Sequence, residues 1–128
     1  MNNNSGAAIG ITVAGQSGVA GQWAYLLNTP TYVLYDQYGY IYIMDTGNTR
    51  IQRWIPGATY GTTVVASSTM INPRGMRFDP FGNLVVADFS QHRIISFRML
   101  CRKNFIRFIE LKLFILLFFK FQMQQQQH

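Results

Sequence analysis

An internal repeat of 43 residues constrains the fold of this chain more than any other feature of its sequence. When residues 30–51 are shifted by that spacing without a gap, six of them coincide with identical residues. The identities fall mostly at turn residues, and the apolar positions between them stay similar, as expected of two copies of one structural unit. The repeat-defining residues are Pro30, Asp36, Gly39, Asp45, Arg50 and Ile51 in the first copy and Pro73, Asp79, Gly82, Asp88, Arg93 and Ile94 in the second.

Each copy consists of short segments that are typical of β-strands. Tyr, Ile, Val and Thr dominate these segments, and Gly, Pro, Asn and Asp separate them. Gly39 and Gly82 stand where a tight hairpin requires positive φ, which glycine adopts without steric cost. The predicted strands are Thr31–Asp36, Tyr40–Asp45, Arg50–Ile55 and Thr62–Ala66 in the first copy, and Gly75–Asp79, Asn83–Asp88 and Arg93–Arg98 in the second.

Four short antiparallel strands in a repeat of about 40–45 residues form one blade of a β-propeller. Blades stack face to face, which buries a middle strand on both sides and explains why Tyr40–Met44 is apolar throughout. The predicted fold class is therefore all-β: a partial β-propeller of about two four-stranded antiparallel blades, plus an atypical hydrophobic C-terminal segment. Two blades leave two faces bare, so we expect self-association or dependence on further blades. The residues expected to be exposed there include Tyr42, Ile43, Val85 and Val86.

The repeat also divides the chain. The segment Gly10–Gly15 echoes Gly61–Ala66 and is predicted to be the outer strand of a preceding blade. The second blade is predicted to lack its last strand, because the repeat pattern stops after Phe97. The predicted units are residues 1–15 for the tail and outer strand, 16–69 for a linker and the first blade, 70–98 for the incomplete second blade, and 99–128 for a hydrophobic and basic tail with a Gln run.

The C-terminal tail does not follow the repeat. Its stretch 105–121 carries four charged residues, and its longest uncharged run, 113–119, has seven residues. A membrane-spanning helix needs about 20 apolar residues, so the composition disfavours a span. We expect a tail that did not evolve with the domain, such as read-through past a damaged repeat, and that packs as a helix or a strand on the exposed blade edge. A membrane-surface or short membrane segment is the minor alternative.

Charge and composition limit the chemistry. Residues 1–98 carry six Arg and four acids, whereas residues 99–128 carry five basic residues and one Glu, so most of the net charge of +6 lies in the tail. The body's charge of +2 argues against strong phosphate binding. A single Cys and two His disfavour a zinc or His-cluster site, and we expect no cofactor or metal. The polar start has no signal-peptide pattern, which leaves the compartment unknown, with the cytoplasm as the default.

The two copies resemble the NHL repeat. The resemblance is carried by Asp36–Ile51 and Asp79–Ile94, each with an Asp-x-x-Gly turn, and covers roughly residues 10–98. It departs from the family at Thr49, where His is usual, and at Gln91, where Asn is usual. The resemblance implies a propeller fold used for recognition. Some NHL propellers bind single-stranded RNA, and others belong to lyases with metal-binding His residues or to ubiquitin ligases.

The recurring polar residues have a structural interpretation. We expect Asp45 and Asp88 to accept backbone N–H bonds in the turn that follows each strand. We expect Arg50 and Arg93 to bond an aspartate or loop carbonyls. No nucleophile motif accompanies His92, so the sequence favours a non-enzymatic protein-interaction scaffold over a hydrolase or lyase. The alternatives are a weak single-stranded RNA-binding surface, and a remnant of an NHL-type ubiquitin ligase or lyase without its catalytic parts.

A candidate partner-binding face follows from the propeller geometry. The turns between second and third strands share one face with the loops between blades, and Trp, Tyr and Arg there are typical of interfaces. For RNA, Arg74 and Arg77 are the best candidates, whereas Trp23 and Tyr25 have the alternative of packing the linker against the blade. The candidate residues are Trp23, Tyr25, Asn48, Arg74, Gln91 and His92.

Overall fold

The computed structural model of the chain describes residue 6, residues 8–99 and residues 102–126, with backbone only over 102–112. Two antiparallel β-sheets and one helix make up this part of the chain. The first sheet has the strand order β1 (Pro30–Tyr35), β2 (Ile41–Asp45), β3 (Arg50–Trp54) and β4 (Thr62–Ala66). The second has the order β5 (Pro73–Phe78), β6 (Leu84–Asp88) and β7 (Arg93–Phe97), and helix α1 spans Arg102–Gln125.

The predicted all-β class is confirmed. Sequential antiparallel strands form one sheet of four and one of three, without a closed barrel among the described residues. The pairing register recurs at the spacing of the sequence repeat: Pro30 lies opposite Asp45 as Pro73 lies opposite Asp88. The second sheet ends at its third strand, as the loss of the repeat pattern after Phe97 predicted.

One aspartate and one glycine fix the first hairpin of each sheet. Asp36 Oδ1 accepts N–H bonds from the residues two and four positions ahead, at 2.9 and 3.0 Å. Asp79 Oδ1 makes the same two bonds at 2.9 and 2.8 Å. Gly39 and Gly82 both have φ 81°, a value that side chains with a Cβ rarely adopt. The recurring sequence therefore produces the same local geometry twice.

The two sheets pack face to face through an apolar core. Tyr42 and Met44 of β2 cluster with Met76 and Val86 of the second sheet, and all four are buried. The Tyr42 ring meets the Phe78 ring edge-on, with 5.0 Å between centroids. Burial raises the pKa of Tyr42, and the nearby Asp36 carboxylate raises it further.

The opposite face of the first sheet is covered by the chain's own N-terminal part. Ile41 and Ile43 pack there with Trp54, beneath Ala14 and Leu27. The expectation that bare faces expose Tyr42, Ile43 and Val86 is therefore wrong, because the sheets cover each other on one side and the linker covers the first sheet on the other. Val85 is half-buried.

The segment predicted as an outer strand takes no strand conformation. No described strand pairs with Gly10–Gly15, and Ile11 and Val13 are exposed. A β-strand needs a neighbouring strand to satisfy its backbone groups, and none of the described strands pairs with this segment.

The C-terminal stretch is helical. Its side chains over 113–126 are exposed, so the expectation that this part packs on the blade edge is wrong. The charges of the stretch are not confined to one side of the helix, which leaves no clean apolar stripe for the sheets to bury. Among the described residues, no helix combines the length and the apolar content that crossing a membrane requires.

Candidate functional site

The carboxylate of Asp45 joins three parts of the first repeat. Asp45 ends β2, has no exposed surface, and accepts a bond of 2.6 Å from the backbone N–H of Asn28. Its second oxygen accepts bonds of 2.7 Å from Asn48 Nδ2 and from Arg50 Nε. Through these three bonds, the buried carboxylate ties the linker, the turn after β2 and the start of β3 together.

Arg50 extends this network into the linker. Its remaining N–H groups donate to the backbone carbonyls of Gln22, Trp23 and Leu26, at 2.8, 3.1 and 2.9 Å. The recurrence of this arginine predicted bonds to an aspartate or to loop carbonyls, and Arg50 makes both kinds. The guanidinium thereby fixes the backbone of the linker at Trp23.

The second repeat contains a looser version of the same network. Asp88 is fully buried and accepts bonds from the Asn72 N–H at 3.4 Å and from Arg93 Nε at 3.2 Å. Arg93 also donates to the Thr69 carbonyl at 2.9 Å. The side chain of Arg93 is 44% exposed, against 12% for Arg50.

The source of the backbone bonds differs from the prediction. Asp45 and Asp88 were expected to accept N–H groups of the turn that follows, but both accept one from the loop before the first strand of their sheet. The turns that follow are single 3-10 turns whose closing N–H groups, from Thr49 and His92, bond carbonyls within the turn. The carboxylates are therefore free to bond the loop that precedes the first strand of each sheet.

Two of the predicted surface residues share an open depression. Trp23 and Asn48 line it together with Gln22 and Arg50, and its volume is about 530 Å³. The Trp23 side chain is 64% exposed, so it does not pack the linker against the sheet. Tyr25 is also exposed, but it does not line this depression.

Arg74 lies on an aromatic ring that the sequence reasoning missed. Its Cζ is 4.0 Å from the centroid of the Phe89 ring, which is a close cation–π contact, and both residues are exposed. At the matching positions of the first repeat, Thr31 and Thr46 share a hydroxyl hydrogen bond of 2.6 Å. The signal in the sequence was an apolar Phe89 at a turn position where the first copy has Thr.

The two repeats bring these surfaces next to each other. Thr31 Oγ1 donates to the Pro73 carbonyl at 3.2 Å, so the threonine pair of the first sheet adjoins the residue that precedes Arg74. Gln91 and His92 are exposed in and directly after the 3-10 turn that contains Phe89. His92 has φ 52°, the counterpart of φ 48° at Thr49.

No three His, Cys, Asp or Glu side chains come together as metal ligands in the part of the chain that the structure describes. In comparisons with known proteins, no family model matches the chain, and no curated protein is significantly similar to it.

Proposed function

We propose that the chain is a two-repeat portion of an NHL-type β-propeller and acts as a non-enzymatic protein-interaction scaffold. The observation that carries this proposal is the exposed stack of the Arg74 guanidinium on the Phe89 ring, at 4.0 Å. Arginine and aromatic side chains dominate the energetics of protein interfaces. A partner that covers this pair would bury the ring while the guanidinium keeps donors for a carboxylate.

The nearby carboxylates are occupied by hydrogen bonds within the protein, which supports a scaffold over an enzyme. Asp45 and Asp88 are fully buried and each accepts hydrogen bonds from the backbone and from an arginine. A general base must reach the proton that it removes, and these groups face the protein's own loops instead. Their recurrence in both repeats is explained by the loops that they hold.

The charge of Arg74 indicates the chemistry of the partner, and Arg77 on the same strand is available for comparison. Arg74 and Arg77 are both exposed on β5. Among the described residues, the salt bridges within 4.0 Å are those of Arg50 and Arg93, which leaves these two cations without an acidic partner there. A peptide segment with a carboxylate beside an apolar side chain would complement the cation and the ring together.

A random peptide library displayed on phage tests this proposal. The full-length chain, immobilised, is compared with the variants Phe89→Ala and Arg74→Ala. Arg77→Ala is the matched control, because it removes an equal charge from the same strand without disturbing the stack. We expect selected peptides with an acidic and an apolar residue, and about tenfold weaker binding to Phe89→Ala and Arg74→Ala but not to Arg77→Ala.

Single-stranded RNA is the competing ligand, since bases also stack on arginine and phenylalanine. Anisotropy of a labelled random-sequence RNA measures it on the same variants. Affinity that falls steeply with salt and drops equally in Arg74→Ala and Arg77→Ala would replace the protein-binding proposal by RNA binding. Failure to select any peptide, or selection unaffected by Phe89→Ala, would also contradict it.

A further inference from the structure

The second sheet ends in an open strand edge. In the first sheet β3 pairs with β4, whereas β7 pairs with β6 alone among the described strands. The strand also exposes an apolar side chain, because Ile94 is 69% exposed where the matching Ile51 is completely buried. Unpaired N–H and C=O groups along such an edge favour the addition of another strand.

The chain contains a segment whose sequence is similar to that of the fourth strand of the first sheet. Gly10–Gly15 echoes Gly61–Ala66, the segment that contains β4. Residues 10–13 are exposed, Ala14 and Gly15 are half-buried, and the segment pairs with none of the described strands. Ile11 is 83% exposed, although β-branched residues favour a paired, half-buried strand.

The glycine that begins each of the two similar segments supports the pairing of Gly10–Gly15 with β7. Gly61 lies against the ring of Trp54 so closely that a Cβ at this position would come within 2.3 Å of Cζ3. The repeat spacing places Phe97 at the position of Trp54, and the likeness of Gly10–Gly15 to Gly61–Ala66 places Gly10 at the position of Gly61. Apart from its chain neighbours, no described atom lies within 4 Å of a Cβ built on Gly10, so no contact among the described residues requires a glycine there.

We propose that Gly10–Gly15 of a second copy of the chain adds to β7 as the missing fourth strand. The register of β3 with β4 then places Ala14 of one copy opposite Ile94 of the other, as Val65 lies opposite Ile51. This interaction goes beyond the proposed partner-binding surface and uses different residues.

The geometry favours a second copy over the chain's own segment. Ala14 packs on the face of the first sheet that carries Ile41 and Ile43, whereas the second sheet packs on the opposite face. The unpaired segment and the open edge therefore lie at opposite ends of the two-sheet stack. A contact between unlike surfaces of this kind is head-to-tail, and it forms a ring where the rotation closes and an open chain where it does not.

Cysteine pairing between two variants tests the register. Both carry Cys101→Ser; one carries Ala14→Cys and the other Ile94→Cys, and they are mixed under mild oxidation. The matched control replaces Ile94→Cys by Thr62→Cys, an exposed position on β4. We expect a disulfide-linked pair from the first mixture and far less from the control. No crosslink, or equal crosslinking in both mixtures, would overturn the proposal.

Analytical ultracentrifugation tests the association without cysteines. Successive N–H groups of a strand point to opposite sides, so the double variant Ile11→Pro/Thr12→Pro removes the donor that faces β7. Ala8→Pro/Ile9→Pro is the control just outside the segment. We expect about a tenfold or larger loss of the association constant in the first variant only. A wild-type chain that stays monomeric at high micromolar concentration, or equal loss in both variants, would contradict the proposal.

Discussion

The two sheets have the same hairpin geometry but differ in how completely their middle strands are buried. Their first hairpins are alike in hydrogen bonds and in the φ of Gly39 and Gly82. By contrast, β2 is buried at all five positions, whereas β6 alternates between buried and half-buried residues. The difference lies in the neighbours: the first sheet has β4 and the N-terminal segment, and the second has no described counterpart of either.

Turn geometry and burial depend on different parts of the sequence. Turn residues act within a few positions, so a repeat reproduces them wherever it occurs. Burial and the strength of a buried ion pair depend on what covers the repeat. Arg50 is held by three linker carbonyls and is nearly buried, whereas Arg93 bonds one loop carbonyl and remains half-exposed.

The largest expected difference concerns the two aspartates. Asp45→Ala leaves Arg50 in a buried position without its carboxylate, and we expect a loss of about 3–5 kcal/mol in the free energy of unfolding. Asp88→Ala breaks longer bonds to a half-exposed arginine, and we expect about 1–2 kcal/mol. Urea denaturation of both variants measures the two losses. Equal losses would contradict the difference between the sheets.

The second largest difference is expected between the stability losses at Ile51 and Ile94, which occupy matching positions of the two repeats. Ile51→Ala opens a cavity in a fully buried site, for which we expect a loss of about 3 kcal/mol. Ile94→Ala removes an exposed side chain and should change stability by less than about 0.5 kcal/mol at concentrations where the chain is monomeric. Thermal unfolding followed by circular dichroism compares them. A large loss in Ile94→Ala under these conditions would show that β7 is covered in the monomer.

The hairpin glycines should behave alike. Gly39→Ala and Gly82→Ala each force a Cβ into a left-handed conformation, and we expect about 1–2 kcal/mol of destabilisation from each. Gly75→Ala is the control, because Gly75 has no positive φ and open space at its Cβ position. Clearly unequal losses at Gly39 and Gly82, measured by urea denaturation, would mean that the hairpins are not locally determined.

The smallest effect concerns the pKa of Asp79. Desolvation acts to raise this pKa, but hydrogen bonds from the Asn83 side chain and from the backbone of Asn83 and Phe81 hold it below its usual value. A folded-state pKa below the unfolded one adds stability above the unfolded pKa, and this is lost as the pH falls through the folded pKa. Asn83→Ala should therefore raise the pKa of Asp79 in an NMR titration. An unchanged pKa would contradict this role of the amide.

The sequence was sufficient for the seven strands of the two repeats, their hairpins and the loss of the fourth strand in the second sheet, because periodicity and turn residues determine these features locally. It was not sufficient for Gly10–Gly15, which was predicted as a strand and is not one. The sequence did not predict which faces of the sheets are buried by neighbouring parts of the chain. Tyr42 and Val86 were expected on bare faces, but the two sheets bury them against each other. The Phe89 ring beneath Arg74 was missed because turn positions carry no apolar periodicity that would single out such a residue.

Amide hydrogen exchange, followed residue by residue at two protein concentrations, tests most directly whether the second sheet is an incomplete copy of the first. At low concentration we expect the amides of β7 to exchange at least about tenfold faster than those of β3, because β7 pairs with β6 alone among the described strands. At high concentration we expect exchange in β7 and in residues 10–15 to slow together, while β3 is unchanged. Equal protection of β3 and β7 at low concentration would contradict the account.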